Sequence, residues 1–186
     1  MSKIVQGDWK QPTFDGLCPS LIDWAQMAAF IDGEGSILIN PRRGRHAASR
    51  YTNLASTFYL KLTIANTDFR LPLWAQRKFG GSCKDANTEK YYEGRNWKRC
   101  WHWSCSSHRA AWILTNSLPY FVMKREQAEI GIALQESMFL FTRGHARQLP
   151  LEVVELRREL KRRLLVLKSR GLKTEPQQQE RIAEVS

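Results

Sequence analysis

The sequence predicts an α+β domain in which one antiparallel sheet carries helices on one face. A stretch with helical spacing begins near residue 20 and leads, almost without a linker, into the alternating pattern of a strand. A second alternating stretch, another helix, two further strands and two helices follow. Strands that alternate in this way bury one face and leave the other exposed. The order of elements is therefore αββαββα, with further helices toward the C-terminus.

The first helix begins at a capping motif. Ser20 is a good N-cap, and Asp23 three residues later completes a capping box. The predicted core face of the helix recurs at helical spacing and consists of Leu21, Trp24, Met27, Ala28 and Ile31. A second stripe contains only small residues, Ala25, Ala29 and Gly33. This stripe is either ordinary helix filler or a surface that another helix can approach closely.

Two acids, Asp32 and Glu34, lie where this helix ends and the first strand begins. Carboxylates at a helix C-terminus face the negative end of the macrodipole, which costs a few tenths to about 1 kcal/mol. The sequence therefore predicts that something else at this junction compensates for the two charges.

The strands are predicted from their alternation. Ile37 and Ile39 of the first strand point inward, and the second strand contributes an inward set of Phe58, Leu60, Leu62 and Ile64. Two more strands are predicted near 82–86 and 97–104, with Trp101 and Trp103 inward. Helices are predicted across 69–79, 107–117, 121–138 and 151–170.

The charge of the chain indicates a polyanionic partner. The 186 residues carry a formal net charge of +11, and a chain this basic usually binds nucleic acid or an anionic membrane surface. No run approaches the roughly 18 apolar residues that span a bilayer, and the first residues lack the apolar region of a secretory signal. We expect an intracellular protein with an N-terminal arm (1–19), a core (20–140) and a basic C-terminal helical extension (141–186).

The cysteines do not form a recognisable metal motif. Four cysteines in a reducing compartment are expected to be free thiols. The stretch "CWHWSCSSH" has the spacing C-x-H-x2-C-x2-H, which matches none of the common zinc patterns. A zinc site is therefore the less favoured interpretation of this stretch.

The stretch "MAAFIDGEG", Met27 to Gly35, resembles the signature of the LAGLIDADG homing endonucleases and covers all nine positions of that motif. The departures are mild and fall at Met27, Ala29, Phe30, Gly33 and Glu34. The order of elements over about 20–140 also fits that family. "PYFVMKREQA" resembles the segment that carries a basic active-site residue in single-motif members, and the match places this residue at Lys124. The resemblance implies the αββαββα saddle, whose antiparallel sheet lies on DNA.

The resemblance also implies an activity, that of a site-specific homing endonuclease. Only one motif is present, so the active species would be a homodimer whose motif helices pack side by side through Ala25, Ala29 and Gly33. Glu34 and Gly33 of each copy would then hold Mg²⁺, for which Mn²⁺ could substitute, and the metal would support hydrolysis of DNA phosphodiesters. The implied catalytic residues are Glu34, Lys124 and Asn66, the last as the polar residue that organises solvent. Asp32 is expected to hydrogen-bond backbone at the helix junction rather than to bind metal.

The partner implied by the fold is double-stranded DNA with a long pseudo-palindromic site, and neither a membrane nor a small-molecule substrate is expected. The predicted groove-facing residues are Ser36, Leu38, Asn40, Arg42, Tyr59, Lys61, Thr63, Lys84, Lys98, Cys100 and His102. Arg43, Arg45, Arg50 and Arg95 are predicted to contact phosphates, and so is the tail where it meets DNA. For the tail helix, docking on the core with a solvated basic face is the favoured interpretation, with phosphate contacts from that face as the alternative.

Two other functions stay open from the sequence. A catalytically silent relative, such as an intron maturase or a transcription regulator, would keep the fold and the DNA- or RNA-binding surface. A basic protein of the membrane surface is a further alternative that depends only on the amphipathic stretch 151–170. The sequence does not distinguish a bacterial cytoplasm from an organelle.

Overall fold

The computed structural model describes residues 18–41, 58–86, 93–94, 96–140 and 150–169. The elements in chain order are α1 (Leu21–Glu34), β1 (Gly35–Pro41), β2 (Phe58–Asn66), α2 (Arg70–Phe79), β3 (Ser82–Asp85), β4 (Trp101–Ser106), α3 (Ser107–Ser117), a 3-10 turn (Leu118–Tyr120), α4 (Arg125–Leu140) and α5 (Leu151–Ser169). Within these residues the four strands form one antiparallel sheet in the order β1-β2-β4-β3. The predicted α+β class and the αββαββα order are confirmed.

The apolar face of the sheet is the one that the alternation predicts. Ile37 and Ile39 of β1 pair with Leu62 and Leu60 of β2, and all four side chains are buried. On β4, Trp103 is fully buried, and its indole Nε1 donates a hydrogen bond of 2.7 Å to the carbonyl oxygen of Gly80. A buried indole N–H needs such a partner. The sheet therefore has one face buried under the helices, while its other face is half-buried or exposed.

The predicted cap of α1 is confirmed, since the Ser20 hydroxyl accepts from the backbone N–H of Asp23 and the Asp23 carboxylate accepts from the Ser20 N–H.

The helices pack closely on the apolar face of the sheet. In α4, a Cβ added at Gly131 would lie 2.9 Å from Cδ1 of Leu60. Glycine at this position lets α4 approach the sheet more closely than a larger residue would allow.

The last predicted strand is displaced along the chain. The strand predicted over 97–104 begins at Trp101 and ends at Ser106. Its neighbours β2 and β3 end at Asn66 and Asp85, and both of these residues lie opposite Trp101. Among the described residues, the ladder pairing of β4 therefore stops at Trp101, and a hydrogen bond from the Ala86 N–H to the carbonyl of Cys100 lies just before it.

Three helices also differ in detail from the prediction. The helix predicted from 121 begins at Arg125, and the backbone N–H groups of the residues before it bond a side chain of α1. Leu21 and Leu151, predicted to face the core, are exposed, because each is the first residue of its helix. The C-terminal helix α5 packs against α4, and its Leu160 and Leu164 belong to the common hydrophobic core.

Several predictions fall on residues that the structure does not describe. These include most of the N-terminal arm, the segment 141–149, and the arginines Arg42, Arg43, Arg45, Arg50 and Arg95. In the part of the chain that is described, no helix combines the length and the apolar character needed to cross a membrane.

Candidate active site

The junction of α1 and β1 is built on a glycine. A Cβ at Gly35 would lie 2.6 Å from the backbone Cα of Ile31, so no larger residue fits without moving the helix. The N–H of Gly35 donates to the carbonyl oxygen of Ile31 and closes the helix. The chain then enters β1 directly, which makes Glu34 the last helical residue and places Ser36 at the start of the strand.

Asp32 has a structural role at this junction. Its side chain is only 7% exposed. Oδ2 accepts from the backbone N–H groups of Val122 at 2.8 Å and Met123 at 3.2 Å, and Oδ1 accepts from the N–H of Lys124 at 2.9 Å. Asp32 therefore bonds backbone N–H groups, as the sequence predicted, but those of the segment before α4 rather than those of the junction itself, and it ties α1 to that segment.

Lys124 compensates for the acids at the helix end. Its Nζ donates to the carbonyl oxygens of Ile31 at 2.7 Å, Asp32 at 2.7 Å and Gly35 at 3.0 Å. Ile31, whose carbonyl also accepts the Gly35 N–H, and Asp32 belong to the last turn of α1, so these bonds place a positive charge at the negative end of the macrodipole. Burial lowers the pKa of Lys124 below its usual value, although the negative charges of Asp32 and Glu34 act in the opposite direction.

Glu34 differs from Asp32 in being exposed. Within the described residues, no three His, Cys, Asp or Glu side chains lie close enough together to hold a metal ion. One copy therefore presents a single exposed carboxylate at this junction. The carbonyl of Gly33 is not among the three that Lys124 binds. The Glu34 carboxylate and the Gly33 carbonyl together suit a hard cation such as Mg²⁺, which takes one or two carboxylates and fills its shell with water and phosphate oxygens.

Asn66 lies at the same edge of the sheet as Glu34. Asn66 is the last residue of β2. Ile64, two residues earlier, pairs with Gly35, the residue that follows Glu34. The Oδ1 atom of Asn66 accepts the backbone N–H of Asp68 at 2.7 Å. The nearby Arg70 guanidinium bonds Asp68 and lowers the pKa of that carboxyl to about 2. The side chain of Asn66 is half-buried and held in a fixed orientation.

The stripe of small residues on α1 is left uncovered by the described chain. Ala25 is half-buried, while Ala29 and Gly33 are exposed. A Cβ added at Gly33 would meet nothing within 4 Å. Two exposed neighbours, Ile22 and Gln26, continue the same face toward the start of the helix. We call the surface formed by Ile22, Ala25, Gln26, Ala29 and Gly33 the outer face of α1.

The exposed side of the sheet carries most of the predicted groove-facing residues that the structure describes. Those on β1, β2 and β3 are half-buried or exposed, and they are Ser36, Leu38, Asn40, Tyr59, Lys61, Thr63 and Lys84. His102 on β4 is exposed as well. Lys98 and Cys100 precede β4, so they do not occupy the strand positions from which their orientation was predicted.

Two polar residues of this surface were missed by the sequence prediction. Ser104 and Ser106 lie on β4 opposite Thr63 and Lys61 of β2. Trp103 and Cys105 point inward, so the residues next to them point outward with His102. Burial raises the pKa of the Cys105 thiol, which is consistent with this inward position. Ser104 lies at the end of the predicted strand, and the alternation continues two residues further to Ser106. The pattern could therefore have identified both serines.

The fold matches solved structures of DNA-bound proteins. No protein-family model matches the sequence, and no curated protein matches it either. The homing endonuclease I-CvuI, solved with its target in the presence of calcium, is 18% identical over 79% of this chain and 82% of its own, with a TM-score of 0.59. The archaeal intron-encoded homing endonuclease I-Vdi141I, solved with DNA, is 10% identical over 78% and 84%, with a TM-score of 0.60. The protein therefore has the fold of the homing endonucleases, as its resemblance to the LAGLIDADG family implied.

Proposed function

We propose that the protein is a site-specific DNA endonuclease of the homing type, acting as a homodimer with a divalent metal. The observation that carries this proposal is the position of Glu34. Its exposed carboxylate ends a helix whose outer face carries the small residues Ala25, Ala29 and Gly33 and is not covered by the described residues. The exposed side of the neighbouring sheet is mainly polar and basic. Two of the protein's structural neighbours are homing endonucleases bound to DNA, which supports the same function.

The homodimer explains the small residues on α1. Glycine inside a helix costs about 1 kcal/mol relative to alanine, and nothing in the described part of the chain occupies the space beside Gly33. A second helix packed at this position would need that space, because small residues let two backbones approach closely. Two copies of α1 joined through their outer faces would bring the two Glu34 carboxylates together.

Two carboxylates at adjacent helix ends would repel each other unless a cation lies between them. Glu34 of each copy, with the carbonyl of Gly33, is the proposed ligand set for Mg²⁺, and Mn²⁺ is the proposed substitute. When bound, such a metal activates water as the nucleophile and stabilises the 3′ oxygen that leaves the phosphate.

The remaining site residues act through position and charge. Lys124 holds the end of α1 and adds a positive charge beside Glu34, where it balances part of the charge that develops on the phosphate. Asn66, fixed by the Asp68 N–H, is the proposed residue that orients solvent at the same sheet edge. On the sheet, Asn40 suits adenine and Lys61 suits guanine, and Leu38 can contact a thymine methyl group.

Incubation with a randomised duplex library and Mg²⁺, followed by sequencing of the cut ends, tests this function. We expect one recurring pseudo-palindromic sequence at the cut sites and no cutting in EDTA. Specific binding of one sequence without any cutting would instead indicate a catalytically silent relative. Failure to enrich any duplex for cutting or for binding would remove the proposal.

A further inference from the structure

The last turn of α5 reaches the candidate active site. The Nζ of Lys168 donates a hydrogen bond of 2.9 Å to the Oγ of Ser36. Ser36 follows Gly35, whose carbonyl is bonded by Lys124, so the two lysines bond neighbouring residues of the chain. The C-terminal extension therefore contributes Lys168 to the α1–β1 junction. There it contacts Ser36, which lies two residues after Glu34 in the chain.

The surroundings of Lys168 favour the binding of an anion, because no carboxylate of the described residues contacts its ammonium group. An ammonium group has three donors, and a neutral hydroxyl accepts one of them. Among the described residues, no carboxylate lies within ion-pair distance of Lys168. Its side chain is half-buried. Burial lowers the pKa of Lys168, and the positive charge of Lys124 lowers it further. The carboxylates of Asp32 and Glu34 act on Lys124, whereas Lys124 is the charge that acts on Lys168, so a further anion beside Lys168 would be favourable.

The position of Lys168 is set by the docking of α5. Arg157, only 4% exposed, donates from Nε to the Oγ of Ser137 at 3.1 Å and from a terminal nitrogen to the Ser137 carbonyl at 2.9 Å. Leu160 and Leu164 add apolar contacts with the core. Because these contacts fix the helix at several turns, the placement of its last turn beside β1 is a property of the packed structure and not of a free tail.

We propose that Lys168 binds a DNA phosphate at the edge of the active site, beside the junction that carries Glu34. This inference rests on the proposed function, since it requires DNA to lie on the exposed side of the sheet. It assigns α5 a direct part in substrate binding. The phosphate would accept the donors that Ser36 leaves free and would offset the repulsion between Lys168 and Lys124.

Binding measurements without divalent metal test this assignment independently of cleavage. The duplex recovered from the library is titrated with wild-type protein and with Lys168→Met at several salt concentrations. We expect the dissociation constant of the variant to rise about 10-fold, as for the loss of one hydrogen bond to a charged group. The slope of log K against log salt should become shallower by about 0.9, the value for one phosphate contact. Lys168→Arg should restore most of the affinity and the slope.

Lys161→Met is the matched control. Lys161 lies on the same helix, with its Nζ 5.5 Å from the ring centroid of Phe58, and Phe58 pairs with Pro41 at the opposite end of β1 from Ser36. The control removes the same charge about 10 Å away along the helix. If Lys168→Met and Lys168→Gln bind with the dissociation constant and slope of the control while wild-type protein binds its duplex, the assignment is overturned and the proposed function stands. If wild-type protein binds no duplex, both fail. Thermal midpoints equal to that of wild type show that the variants are folded.

Discussion

Replacing Asp32 by asparagine should destabilise the fold, because the carboxylate bonds three backbone N–H groups. Two of these bonds end on Oδ2 and one on Oδ1. An asparagine has one acceptor oxygen, and its amide nitrogen is a donor. The side chain can therefore keep the bonds to Val122 and Met123 but must leave the N–H of Lys124 facing another donor.

The magnitude follows from these bonds. A buried donor left without an acceptor costs about 1–3 kcal/mol, and the two retained bonds change from charge-assisted to neutral, which weakens each by roughly 1 kcal/mol. The segment is only part-buried, so water can replace some of the loss. We expect the free energy of unfolding to fall by about 2–4 kcal/mol, which is a large part of the total for a domain of this size.

Urea denaturation at fixed protein concentration measures the effect. A loss of about 3 kcal/mol should lower the midpoint by roughly 1 M or more. Glu34→Gln is the matched control, since it makes the same chemical change at an exposed carboxylate on the same helix end. Its free energy of unfolding should stay within about 0.5 kcal/mol of wild type. Equal midpoints for the two variants would refute the assignment of Asp32 as the structural acid.

Three further predictions address other parts of the site. Ala29→Leu adds bulk to the outer face of α1, so sedimentation should show monomer where wild type is dimeric; an unchanged profile would exclude this face as the interface. Lys124→Met should slow cleavage about 100-fold and change DNA affinity far less, as measured by single-turnover assays and titration; a loss of affinity with an unchanged single-turnover rate would remove Lys124 from catalysis. Burial raises the pKa of Asp23, but hydrogen bonds from Ser20 and Lys78 more than offset this and lower it overall. Its contribution to stability is therefore present above the unfolded pKa of about 3.9 and is lost as the pH falls through the lower folded value. Denaturation midpoints across this range should depend less on pH in Asp23→Asn than in wild type, and parallel curves would contradict this.

Features that depend on neighbouring residues could be predicted from the sequence. The inward and outward residues of β2 follow from its alternation, and the capping box at Ser20 and Asp23 depends on groups three residues apart. The junction glycine Gly35 also belongs to this class, because the atom that it would strike is in the preceding turn of the same helix. In each case the physical cause lies within a few residues of the effect.

Features that depend on distant contacts could not be predicted in the same way. The start of β4 is set by where β2 and β3 end. Arg157 looked like part of a solvated basic face, yet it is buried against a serine of α4. The contact between Lys168 and Ser36 joins the end of one helix to the start of a strand far away in the chain. No local pattern specifies these pairs, because they exist only after the helices have packed.

The acids at the end of α1 show how the two kinds of information combine. The sequence indicates that two carboxylates at a helix C-terminus need compensation. The structure gives the compensation, with Lys124 bonding the last carbonyls of the helix and Asp32 bonding the backbone of the segment that carries Lys124. Glu34 is left as the acid without a structural role in the described residues, and it is therefore the carboxylate that we propose for catalysis.

The central claim is that Glu34 supplies the active-site carboxylate, and cleavage by Glu34→Gln tests it most directly. The library-derived duplex is incubated with wild-type protein and with the variant in Mg²⁺, and cut product and bound duplex are measured in the same samples. We predict no detectable cutting by the variant, with a dissociation constant within a few-fold of wild type. A variant that cuts at the wild-type rate would contradict the claim.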